Sequence, residues 1–282
     1  MKIIINNMEL NFIKLCSSIL VVEKQGCYLE PFVNNYLKLI VCSNNKNNYF
    51  CNNCINCLKI NNENYYDLIV INGLVETISK EKILSLQNQF MYPGLEKGNK
   101  KIYIIKQIEK STKEAANSLL KFLESPPLNT YAILTTRNEN LVLATIKSRC
   151  QKYFLSKNKN FDWNDFSKKY QISTKDLKKL FQTYWSIDDL ILSVKNKDYL
   201  NMLKLIDSLL KKPKDIKDLK FLQDSFKQLS YNKIELILNY LLSRLSANNH
   251  EEIFKLLSVL HLNPIKNAIF WEIIKLVEDS NE

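Results

Sequence analysis

The sequence predicts an α/β domain followed by an all-α half. Five apolar runs of strand length, at residues 19–22, 67–71, 101–105, 130–135 and 151–155, lie in the first 155 residues. Helical patterns separate most of them, which is the signature of a parallel, doubly wound sheet. After residue 155 the strand signals fade, and amphipathic stretches follow one another.

The elements follow in order. Residues 8–16 are weakly helical in pattern. Residues 19–22 (Ile-Leu-Val-Val) read as a buried strand. Residues 28–41 read as a helix with Pro31 near its first turn, where a missing N–H does no harm. A Cys- and Asn-rich segment spans 42–64, and a second strand occupies 67–71. Ser79 opens a helix that places Ile83, Leu86 and Phe90 on one face. The loop at 92–100 carries Pro93, Gly94 and Gly98. After the strand at 101–105, Ser111 and Glu114 have the spacing of a capping box. The helix behind them carries Ala115, Leu119, Leu120 and Leu123 and stops before Pro126-Pro127. In the helical half, Thr174 is placed to cap 175–185, and Ser186 with Asp189 to cap 187–195. Longer stretches occupy 199–211, 215–229, 232–246 and 250–260. The last helix is expected to begin with Asn263 as N-cap and Pro264 at its first position. Its Ile265, Ile269, Ile273, Leu276 and Val277 fall on one face.

Composition narrows the chemistry. The 282 residues include only four glycines, Gly26, Gly73, Gly94 and Gly98, where average usage gives about 20. No pair has the spacing of a dinucleotide fingerprint or a working phosphate loop. The net charge of +11 is spread over both halves of the chain. That fits a Lys-rich solvated surface and permits weak attraction to nucleic acid. Only three arginines occur, Arg137, Arg149 and Arg244. Where Lys is so abundant, a retained Arg hints that its fork geometry is used. No run of 18 apolar residues exists, so no transmembrane helix is expected. Asn6, Asn7, Glu9, Asn11 and Lys14 interrupt the N-terminus, which therefore lacks the apolar core of a signal peptide. A cytoplasmic chain is expected.

Cys42, Cys51, Cys54 and Cys57 follow the pattern C-x8-C-x2-C-x2-C. Two overlapping C-x2-C steps bring thiolates close enough to share one tetrahedral zinc, with Cys42 as fourth ligand. Four protein ligands leave no position for a catalytic water, so the zinc would be structural. Cys16, Cys27 and Cys150 stand apart and read as small buried residues. His250 and His261 have no Cys or acidic partner at ligand spacing.

The stretch Lys101–Cys150 contains A-A-N-S-L-L-K-F-L-E-S-P-P, the strand end I-L-T-T and T-I-K-S-R-C. With the four-cysteine spacing, it resembles the clamp-loader subunits of bacterial DNA polymerase III, within the AAA+ ATPase fold. The resemblance implies three domains. They are an AAA+-like core at 1–155 with a zinc module at 42–57, a small helical lid at 156–198 and a helical collar for oligomerisation at 199–282. It further implies membership of a pentamer with gamma/tau and delta subunits, which loads a sliding clamp onto primed DNA.

Two kinds of subunit in this family differ in nucleotide chemistry. Where the phosphate loop G-x-x-G-x-G-K-[ST] should follow the first strand, this chain has Tyr28, Leu29 and Glu30 at the last Gly, the Lys and the hydroxyl. Glu23 and Glu30 would repel triphosphate. Lys106 and Gln107 stand at the Asp-Glu pair that serves magnesium and the attacking water. Glu109, nearby but out of register, is expected to be solvated. Arg149 keeps the place of the arginine finger, which acts in trans on a neighbour's ATP. Thr135 and Thr136 match the sensor position and are expected to make structural hydrogen bonds. The expectation is thus a non-hydrolysing stator that binds no ATP of its own. The alternative is a divergent gamma/tau-type ATPase.

Overall fold

The computed structural model describes residues 4–5, 8–9, 15–45, 49–158, 161–211 and 215–279. The expectation for residues 10–14 and the side chain of His261 lie outside that description. The chain divides into two units, residues 1–159 and 160–282.

In the first unit, β1 (Ile4–Ile5) and β2 (Met8–Glu9) pair antiparallel. The predicted helical stretch at 8–16 therefore begins as a strand. Five further strands form one parallel sheet: β3 (Ser18–Glu23), β4 (Leu68–Asn72), β5 (Lys101–Lys106), β6 (Thr130–Thr136) and β7 (Gln151–Leu155). Their order is β4-β5-β6-β3-β7. β3 lies between β6 and β7 and is buried along its whole length, which is why it reads as a continuous apolar run. β4 is an edge, and its Val70 is half exposed.

Two helical layers cover the sheet because side chains alternate between its faces. Ile19, Val21, Ile102, Ile104 and Ile133 meet α1 (Leu29–Val41) and α2 (Ile55–Asn61). Leu20, Tyr103, Ile105, Ala132 and Leu134 meet α3 (Lys80–Met91) and α4 (Lys113–Glu124). The short α5 (Ala144–Lys147) closes this second face with Ile146. The cap of α4 is one residue later than expected. Thr112 Oγ1 accepts from the Ala115 N–H at 3.1 Å, while Ser111 donates back to the Ile108 carbonyl.

The second unit is wholly helical among its described residues: α6 (Trp163–Tyr170), α7 (Thr174–Thr183), α8 (Ile187–Lys195), α9 (Asp198–Leu210), α10 (Ile216–Lys227), α11 (Tyr231–Leu242), α12 (Ala247–Val259) and α13 (Lys266–Asp279). Leu177, Leu180 and Leu190 centre one apolar cluster. Phe226, Ile237, Phe270 and Ile273 centre another. Leu236 packs against both. Ser186 caps α8 as expected, accepting from Asp189 N–H at 3.2 Å. Ser173, not Thr174, caps α7. Asn263 adopts a left-handed conformation at φ 52°, ending the preceding turn, and α13 starts only at Lys266. Ile265 consequently stands 77% exposed, outside the buried stripe formed by Ile269, Ile273, Leu276 and Val277. No helix among the described residues is long and apolar enough to cross a membrane.

Candidate functional site: a thiol centre and a closed strand-end cleft

The four cysteines of the spacing converge. Cys42 follows the last turn of α1, Cys51 and Cys54 lie in the connecting loop, and Cys57 is in α2. Their sulfurs all lie within 4.8 Å of one another. Cys42 and Cys51 Sγ are 3.6 Å apart, too far for a disulfide. Zinc–sulfur bonds of 2.3 Å in a tetrahedron put sulfurs about 3.8 Å apart, so the donor set fits a metal ion.

Backbone N–H groups point at every sulfur. The Cys51 N–H donates to Cys42 Sγ at 3.4 Å and the Cys54 N–H to Cys51 Sγ at 3.3 Å. Those of Cys57 and Ser43 serve Cys54, and that of Asn52 serves Cys57. Burial raises the Cys42 and Cys57 thiols above the ordinary range. The Asn53 N–H, chiefly, lowers Cys51. At Cys54 burial is outweighed by the N–H donors and neighbouring thiols, and the group falls to about 6. A divalent ion would displace the remaining thiol protons. The four-cysteine cluster can hold a metal ion.

The module is tied to the sheet. Lys59 of α2 pairs with the buried Glu96 at 2.5 Å. Glu96 also accepts from the Tyr66 N–H, and Asp67 accepts from the N–H groups of Leu95 and Glu96. Cys27 and Cys150 are buried, as expected of separate cysteines; Cys16 is only partly so.

The second locus is the C-terminal end of β3, β5 and β6. Parallel pairing brings these ends to one edge, where α/β folds bind ligands. Here the edge is closed by side chains of the protein. Glu23, 3% exposed, accepts from Gln107 Nε2 at 3.2 Å. Arg137 Nε lies 3.8 Å from the second Glu23 oxygen. Gln107 is itself buried, in the left-handed conformation at φ 58°, and its N–H donates to Thr135 Oγ1 at 3.3 Å. Gly73 permits this turn: a Cβ there would meet the Gln107 carbonyl at 2.9 Å.

Glu23 is turned inward. One expectation changes. Glu109 is not a solvated residue: its Oε1 accepts from the Arg137 N–H at 2.9 Å, and its Oε2 is buried. Arg137 joins the cluster although no motif marked it. Only its rarity as one of three arginines gave a signal. Thr135 and Thr136 do make structural hydrogen bonds, the latter accepting from the Asn138 N–H at 3.2 Å. Leu29 is buried at the start of α1 and Glu30 is exposed beside it. Gly26 holds φ 76° in the tight turn before them. Lys106, on the last position of β5, is partly buried.

Arg149 lies just past α5, away from this network. Its Nη1 donates to the Thr145 carbonyl at 2.7 Å, and its Nη2 pairs with the Glu124 carboxylate at the end of α4. The side chain is 31% exposed, so the fork is oriented while remaining accessible.

Comparison with known proteins agrees with this architecture. The family model described as DNA polymerase III, delta subunit matches residues 3–159. A DNA polymerase III subunit delta' of Bacillus subtilis is 45% identical over 36% of this chain and 30% of its own length. The matched part thus spans about a third of that relative. An uncharacterized Mycoplasma pneumoniae protein is 28% identical over 91% of this chain and 97% of its own. A DNA polymerase III gamma subunit-related protein of Thermotoga maritima shares the fold, with a TM-score of 0.59, 18% identity and coverage of 94% of this chain and 95% of its own. Sheet, helices and cysteine module together define an AAA+-type fold. Within that class, the chain belongs to the DNA polymerase III delta' family.

Proposed function

We propose that this chain is the non-hydrolysing stator of the clamp loader and lends Arg149 to a neighbouring gamma/tau ATP site. The observation that carries the reading is the strand-end cluster. Glu23 accepts from Gln107 and faces the Arg137 guanidinium where an ATPase would hold phosphate and magnesium. Leu29 and Glu30 offer neither the phosphate-binding ammonium nor the magnesium-binding hydroxyl. A charged Lys106 cannot ligate magnesium. This chain would therefore bind no ATP.

Arg149 fits the other half of the role. A guanidinium in trans stabilises charge on the transferring phosphoryl group, and such fingers contribute about 10³–10⁵ in rate. In the reconstituted complex, Arg149→Ala should leave assembly intact and reduce turnover at the site it serves by that order. Unchanged ATPase would refute the finger.

The rest of the reading follows the family. Residues 1–155 would be the core, 156–198 the lid and 199–282 the collar that joins gamma/tau and delta. The complex would act on the sliding clamp at primed DNA in the cytoplasm. The metal would be zinc, with a structural role. A divergent gamma/tau-type ATPase is the second reading. It is favoured by a Mycoplasma genitalium gamma/tau relative, 30% identical over 55% of this chain and 26% of its own length. Micromolar, magnesium-dependent ATP binding by the isolated chain would support that reading over the stator.

A further inference from the structure

Two lysines beside the thiol centre have no anion of their own. Lys38, in the last turn of α1, is only 8% exposed. Its Nζ donates to Asn52 Oδ1 at 3.0 Å, in the loop between Cys51 and Cys54, and sits over the Phe50 ring at 5.3 Å. Lys100 is half-buried and donates to the Ile40 carbonyl, two residues before Cys42. Among the described residues neither pairs with a carboxylate. Burial lowers both ammoniums from the ordinary lysine range, and the neighbouring Cys57 and Cys42 act in the opposite sense. An ammonium withdrawn from water without a counter-charge costs several kcal/mol. Two such groups against one four-sulfur cluster call for a common explanation.

Charge counting supplies it. Four thiolates around a divalent ion carry a net charge of −2. We propose that Lys38 and Lys100 are the charge counterparts of this centre, and that they favour its metal-bound state. The proposal rests on the metal reading above. Each lysine attracts the doubly negative centre and gains nothing from a neutral one. Removing either should therefore loosen the metal and leave the cysteines in place. Because the lysines come from the end of α1 and the residue before β5, the sheet domain itself contributes to holding the ion.

The test uses the full chain, purified reduced, with Zn2+ in competition with a chromophoric chelator. Co2+ serves as a spectroscopic probe of thiolate ligation. The parent should bind about one ion in a tetrahedral four-thiolate site. Lys38→Met and Lys100→Met should each weaken Zn2+ by about 10–100-fold, the usual range for groups surrounding a metal's ligands. Lys38→Arg should restore most of the affinity. Met variants that hold Zn2+ as tightly as the parent overturn the proposal and leave the metal site standing. A parent that binds neither ion defeats the metal reading instead. If a Met variant fails to fold, Asn52→Asp decides. Asn52 is exposed in a left-handed turn that Asp tolerates. The new carboxylate would claim the Lys38 ammonium and add a negative charge. Weaker Zn2+ binding is expected, and unchanged binding counts against the lysines.

Discussion

The thiol centre and the strand-end cleft lie in one α/β unit and treat their polar groups in opposite ways. At the strand ends, Glu23, Gln107, Arg137 and Thr135 supply one another's hydrogen bonds and opposite charges. In the cysteine module, four sulfurs and two lysines converge, and the amide N–H groups around them suit thiolates. The first cluster draws its partners from within the chain. With all four sulfurs as thiolates, the second balances only with a divalent cation. Four convergent sulfurs point to a ligand; side chains that bond to one another leave less for a ligand to do.

Removing the metal should produce the largest effect. Structural zinc contributes about 10–16 kcal/mol in small peptides. Chelation, or Cys57→Ser, should raise amide hydrogen exchange across 49–66 while β3, β5 and β6 stay protected. Unchanged exchange there would make the two regions alike, both without a ligand.

The strand ends should respond to mutation but not to nucleotide. Arg137→Met leaves the Glu23 carboxylate buried without its cation. A loss of about 2–3 kcal/mol in denaturant unfolding is expected, since the Arg is itself partly exposed. Millimolar Mg-ATP should leave the melting temperature of the parent unmoved. A micromolar site would add about 4 kcal/mol at such concentrations, so a clear upward shift would reopen the cleft as a binding site.

The smallest effect separates one cysteine from the module. Burial pushes the Cys150 thiol up to about 12. The raised value keeps the group neutral below that pH, so its thiolate at pH 8 is only about 10⁻⁴ of the total. Iodoacetamide should leave Cys150 unmodified in the folded, metal-free protein while Cys54 reacts. Labelling of both at one rate would show that the cysteine environments do not differ.

Much of this was legible in the sequence because the signals are local. A strand buried on both faces reads as an apolar run, and residues 19–22 and 102–105 do. The cysteine spacing is local too. The helix caps failed by one residue at Thr112 and Ser173, where two adjacent residues both carry capping hydroxyls. The Glu23–Gln107 bond joins residues 84 apart, and no periodicity reports such a pair. Lys38 and Lys100 looked like solvated lysines because their environment comes from other parts of the chain.

The Arg149–Glu124 pair has a further consequence. Both side chains meet solvent, at 31% and 49% exposure. A contact of that kind contributes about 0–1 kcal/mol and weakens with salt. Glu124 therefore holds the guanidinium at rest without locking it. In the proposed stator, a phosphate presenting two oxygens to the fork would take the place of the carboxylate at little cost, and the side chain would be free to let go of its tether.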